Sequence, residues 1–117
     1  MKGMSSIGIM LAGIPATLSE LCALDALSAR SEARALARRL CAQGAEEEAR
    51  AVAENAAICA YSLRTEEGRP FAGAEEAARG LSLCRLAFVA KRYRELVEED
   101  TMEYDEAGYN TGTIINR

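Results

Sequence analysis

The sequence predicts a mainly α fold: a small helical domain of about four helices behind a short N-terminal β-hairpin. Three observations carry that prediction. Half of the 117 residues are apolar, yet aromatics make up only 5% and there is no Trp. Alanine supplies much of the apolar share, and Ala loses no side-chain entropy in a helix. Apolar positions also recur at helical spacing in several stretches. The opening residues break that rhythm with Gly8, Gly13 and Pro15. A chain of this length forms one core, not two. Residues 1–100 are therefore expected to be a single domain with its hairpin at 4–16, and 101–117 an acidic, flexible C-terminal tail.

The elements follow in order. Residues 4–16 read as a hairpin turning at Ala12-Gly13. Pro15 lacks the N–H that a ladder needs, so the second strand is expected to be an edge or very short. Lys2 followed by "IGIMLAGI" has the outline of a secretory leader, but its apolar run is short and "PAT" is a poor cleavage site.

Thr17 and Glu20, three apart just before Leu21, have capping-box spacing. They predict a helix near 18–42, with a start at Ser19 as the other possibility. Leu21, Leu24, Leu27, Leu36 and Leu40 would form one broad face, and Arg30, Arg34 and Arg38 another. Ser28 and Ser31 can interrupt this helix, since serine competes for backbone hydrogen bonds. Gly44 suits the left-handed stop.

A second helix near 46–63 opens with Glu46, Glu47 and Glu48 at the positive end of its dipole. Val52, Ala56, Cys59 and Leu63 would be its inner face. Gly68 and Pro70 mark a loop. A short helix near 73–79 stops at Gly80. Ser82 can cap a last helix near 82–98, striped by Leu83, Leu86, Val89, Ala90, Tyr93, Leu96 and Val97. Beyond Asp100 the stripe is lost.

Composition excludes several function classes. The net charge of −4 argues against nucleic acid as the principal partner, since phosphate binding needs a positive field. No histidine is present, which removes His-activated nucleophiles and His-ligated metals. Cys22, Cys41, Cys59 and Cys84 form no C-x-x-C pair. Set among Ala, Leu and Ile, they read as reduced, mostly buried core residues, with one or two disulfides as the alternative. No stretch approaches the roughly 20 apolar residues of a membrane span. Adjacent pairs such as Glu66/Glu67 and Glu75/Glu76 point in different directions and have no histidine to work with. "EEGRP" lacks the spacing and the Lys of a phosphate loop. The sequence thus offers no catalytic, cofactor-binding or metal-binding residues and reads as a non-enzyme.

Candidate partner contacts remain. Arg30, Arg34 and Arg38 either recognise an acidic partner or phosphate, or form a solvated face offset by Glu32 and Glu46 to Glu48. From Glu95 to Glu106 there are seven acidic residues and no basic one. Such a run, including Glu98, Glu99 and Asp100, either docks on a partner or merely solubilises. Tyr61, Tyr93, Tyr104 and Tyr109 could act as acids in principle, but apolar surroundings favour packing for the first two. Leu86 and Tyr93 complete the candidate set.

The stretch "GIPATLSELCALDAL" resembles the opening of the G-type tail assembly proteins of lambdoid phages. There too a short hairpin with a glycine turn runs into a T-L-S-E-L helix start. "AAICAYSLRTEEGRPF" is similar to that family's mid-chain alanine-rich helix ending in A-x-S-L before a polar loop. "AEEAARGLSL" and a final amphipathic helix follow in the same order. The likeness spans residues 4 to about 98 and rests on Thr17-Leu18-Ser19-Glu20-Leu21, Ala23-Leu24 and Ala60-Tyr61-Ser62-Leu63. Arg64 stands where the family pattern has an aromatic, and the loop here is shorter.

The resemblance implies a phage or prophage tail assembly chaperone. Such a protein binds the tape measure protein, keeps it soluble and helps recruit tail-tube subunits, without catalysis. It would work as a homo-oligomer in the host cytoplasm and be absent from the mature virion. A helical adaptor or regulatory protein of a mobile element is the alternative, and a small subunit completing a larger enzyme is a third reading.

Overall fold

The computed structural model describes residues 5–42, 44 and 46–108, with side chains given as far as residue 98. Four helices pack beside a small antiparallel sheet, as the composition predicts.

Strands β1 (Ser6–Leu11) and β2 (Ile14–Ser19) form the hairpin, in register from Leu11↔Ile14 to Ser6↔Ser19. The turn sits at Ala12-Gly13, where both residues have positive φ (52° and 82°). That combination lets the turn twist match the strand twist. Alternation along β2 buries Ala16 and Leu18 and exposes Thr17. A two-residue strand β3 (Leu63–Arg64), not anticipated from sequence, pairs with Thr17 and Leu18 and makes β2 the central strand. Pro15 lies outside the stretch that β3 engages, so its missing N–H is tolerated in a central strand.

Here the capping box fails. Thr17 is a mid-strand residue opposite Gly8 and Arg64, and helix α1 (Ala23–Cys41) begins four residues beyond Ser19. Its N-cap is Cys22, with no side-chain cap bond. Two-sided strand pairing satisfies the backbone of Thr17 and Leu18, and outweighs the local capping preference.

Helix α1 is unbroken, with Ser28 and Ser31 both solvent-exposed. Its buried face is Ala29, Ala33 and Leu36, whereas Leu24 and Leu27 are 76% and 60% exposed. The leucine stripe expected to face inward is displaced by alanines. Helix α2 (Glu46–Ser62) is the central helix, burying Ala49, Ala53, Ala56, Ala57, Cys59 and Ala60. Val52 is only half-buried. Small side chains let α1 and α2 approach closely, and this is the most extensively packed helix pair.

The loop after α2 is built on that helix's last carbonyls. Arg64 Nη1 donates to Tyr61 O at 2.7 Å and Arg69 Nε to Ala60 O at 2.8 Å. Both satisfy acceptors that a helix end leaves without partners. Thr65 and Gly68 close a tight turn by mutual backbone bonds, with Gly68 at φ 99°. Helix α3 (Ala74–Gly80) is then started by α1: Glu32 accepts the Ala74 N–H at 2.8 Å and the Tyr61 hydroxyl. A Cβ at Gly73 would stand 2.9 Å from Glu32 Oε1, so a side chain there would displace that carboxylate from the Ala74 N–H.

Helix α4 (Leu83–Gly108) starts as expected, with Ser82 Oγ accepting the Arg85 N–H at 3.2 Å. Leu86, Val89, Ala90 and Leu96 are buried, while Leu83 is 71% exposed. The helix does not end near 98 but continues to Gly108, so the tail expected from 101 is helical through its first eight residues. What ends near Asp100 is the apolar stripe. Helicity persists because Met, Glu and Ala are compatible with it. The remainder of the expected tail, 109–117, lies outside the described residues.

All four cysteines are free, but burial is not general. Cys59 is buried, Cys41 half-buried, and Cys22 and Cys84 are exposed. Burial pushes the Cys59 thiol up to about 12, well above its ordinary value.

Candidate functional site

An open groove of about 790 Å³ runs along α1 and α2 and is lined also by Tyr93 and Arg94 of α4. Its floor is apolar and shallow because alanines line it: Ala29, Ala33 and Ala37 from α1, with Ala57 and Ile58 from α2. The rim is basic. Arg30, Arg34 and Arg38 stand at successive turns of α1, and Arg50 and Arg94 join them from the other helices. Only Glu46 and Glu54 bring negative charge to the groove.

These arginines differ in their engagement. Arg50 pairs with Glu46 at 2.9 Å, and Arg94 Nη2 donates to Asn55 Oδ1 at 3.1 Å. Arg30, Arg34 and Arg38 make no ion pair among the described residues. The offset expected from Glu32 does not exist. Glu32 points toward α3 and is spent on Tyr61 and the Ala74 N–H. Arg39, which belongs to the same basic cluster in the sequence, is instead paired with Glu75 at 2.5 Å. Hydrogen bonds from Arg39 and then Arg79 hold the Glu75 carboxyl well down, at about 2.

Four of the eight candidate residues thus meet in one place: Arg30, Arg34, Arg38 and Tyr93. Tyr93 is half-buried, and its hydroxyl accepts the Leu21 N–H at 3.1 Å, tying α4 to the β2–α1 connection. Desolvation raises the pKa of that phenol. It is a structural tie as well as part of the groove wall.

Leu86 must be removed from the candidate set. It is 2% exposed in the core, so in this fold it offers no surface to a partner. Glu98 is exposed on α4, one turn beyond Arg94, and is not among the residues lining the groove, and the side chains of Glu99 and Asp100 lie outside the described ones. Sequence reasoning missed Arg50 and Arg94. Arg50 is the one basic residue of α2 and Arg94 sits beside Lys91 and Arg92 on α4, and only the packing of three helices brings the two beside the α1 stripe.

Other surface features are apolar. Leu24, Leu27, Leu83 and Phe88 are exposed large side chains on α1 and α4, and Met10 and Ile14 are exposed at the hairpin tip. Among the described residues there is no cluster of potential metal ligands, and no helix is long and apolar enough to cross a membrane. What the arrangement can do chemically is bind: a positive, small-residue groove accepts an acidic helix or strand, and exposed leucines accept apolar helix faces. No family model, curated protein or solved structure matches the chain.

Proposed function

We propose that this chain is a non-catalytic phage or prophage tail assembly chaperone, which holds the tape measure protein during assembly and helps recruit tail-tube subunits in the host cytoplasm. The observation that carries the proposal is the set of large apolar side chains left exposed on helices, with Leu24 at 76%, Leu27 at 60% and Leu83 at 71%. Leu24 and Leu27 lie three apart on α1, the spacing at which one helix presents an apolar face to another, as a binder of long amphipathic helices would. Further support comes from the likeness of "TLSEL" and "AYSL" to the G-type proteins. The fold adjusts that likeness, since Thr17, Leu18 and Ser19 end a strand here and do not cap a helix. The client contact would be apolar in the main, with charge setting rate and salt dependence. Many copies along an elongated client would multiply weak contacts.

The test is co-expression with the tape measure protein of the same gene cluster, followed by sedimentation of the supernatant. The client is expected to stay in solution and co-sediment with this chain, and to lose that protection with the Leu24→Ser, Leu27→Ser double variant. Equal client solubility with and without the chain overturns the proposal.

A further inference from the structure

Two features of opposite charge stand apart on this molecule. The groove on α1 and α2 carries five arginines against two glutamates, although the whole chain is net −4. Three of those arginines, Arg30, Arg34 and Arg38, make no ion pair among the described residues. The end of α4 has the reverse character: from Glu95 to Glu106 there are seven acidic residues and no basic one. Its last buried side chain among the described residues is Leu96.

Among the described residues, α4 contributes nothing beyond Arg94 to the chain's own groove. Helix α4 reaches the groove at Tyr93 and Arg94 and then runs on as helix through Gly108. The fourteen residues after Arg94 therefore extend about 20 Å along the helix axis. Glu95 and Glu98, the acidic residues of that end whose side chains are described, are not among the residues lining the chain's own groove.

We propose that the acidic end of α4, residues 95–108, docks in the arginine-rimmed groove of a second copy of this chain. An α-helix carrying Glu98, Asp105 and their neighbours suits a site with an alanine floor, since small floor residues let a helix axis come close. The rim arginines then meet carboxylates along its flanks. Donor and acceptor are different surfaces, so repeated head to tail the contact is heterologous and closes as a ring or continues as an open chain, and two copies that exchange α4 ends form a two-fold pair. This association is independent of any client, and the two proposals fail separately.

Charge-swap complementation of the full chain tests it. Sedimentation velocity of the unmodified protein over a concentration series should show reversible association. Its apparent dissociation constant should rise at least about tenfold between about 50 mM and about 500 mM NaCl, as expected for a contact between exposed charges. The triple variant Arg30→Glu, Arg34→Glu, Arg38→Glu should be monomeric, and so should Glu98→Lys, Glu99→Lys, Asp100→Lys. Arg30, Arg34, Arg38 and Glu98 are exposed, and circular dichroism checks the helical content of each variant. Mixing the two variants should restore a complex, because the reversed groove now accepts the reversed helix end. A protein that is monomeric throughout the series, or an oligomer that survives both reversals, overturns the proposal. So does a mixture that fails to associate, or an arginine reversal whose only effect is loss of a co-purifying polyanion such as nucleic acid.

Discussion

The interior of this domain is built in two ways. Where the sheet meets α4, the fully buried side chains are large: Leu18 from β2, Leu63 from β3, and Leu86 and Val89 from α4. On α1 and α2 the buried side chains are mostly alanine, with Ala29, Ala33, Ala53, Ala56 and Ala57 all buried. The first region gains its stability from apolar area removed from water, about 25 cal/mol per Å². The second gains little area per residue and depends on closeness, so that dispersion contacts between backbones replace side-chain bulk. One region should therefore fail when side chains shrink, and the other when they grow.

The largest effect expected is at the sheet. Leu18→Ala should cost about 2–5 kcal/mol, the transfer term plus a cavity that the flanking strands cannot close. Leu24→Ala, at 76% exposure, should stay within about 0.5 kcal/mol of the parent. Urea titrations of both variants check this, and equal midpoints would remove the distinction between the two leucines.

Ala56→Leu comes next. Its site is fully buried on α2, and the added volume should cost about 1–3 kcal/mol by forcing the surrounding helices apart. A variant as stable as the parent would mean that the alanine contact has slack and that closeness is not what holds it.

The smallest effect concerns the surface next to that contact. Glu75 links Arg39 of α1 to Arg79 of its own helix, and those partners lower its carboxyl from 4.5 to about 2. A depressed carboxyl contributes stability that is present above pH 4.5 and is lost as pH falls toward 2. The pair is exposed, so the contribution is small. Thermal melts between pH 5 and pH 2 should show a shallower decline for Glu75→Gln than for the parent. Parallel declines would show that Glu75 adds nothing to the joining of α1 and α3.

The contrast also explains what could be read from the sequence. Period-3.6 stripes of large residues identify inner faces when bulk does the packing, and Leu86, Val89 and Leu96 of α4 were legible for that reason. On α1 the same rule selected Leu24 and Leu27, because an alanine face carries too weak a hydrophobic signal to compete with scattered leucines. The turn at Ala12-Gly13 was legible from local chemistry. Strand β3 was not, since two residues carry no period and their pairing is with a segment far away in sequence. The arginines of α1 were legible as a stripe. Their convergence with Arg50 and Arg94 depends on how three helices pack, which no local pattern encodes.

Glu32 has a consequence for the order in which the domain opens. Helix α3 has seven residues, too few to hold helical structure unaided. Its first N–H and the Tyr61 hydroxyl both rest on one carboxylate that belongs to α1. Arg69 lies 4.4 Å over the Tyr61 ring and holds the carbonyls of Ala60 and Ala72, so the loop shares that anchorage. Residues 65–80 are therefore expected to exchange their amides as one cooperative unit. The segment would open as a flap, lifting from α2 and releasing its ties to α1, the Glu32 carboxylate and the Arg39–Glu75 pair.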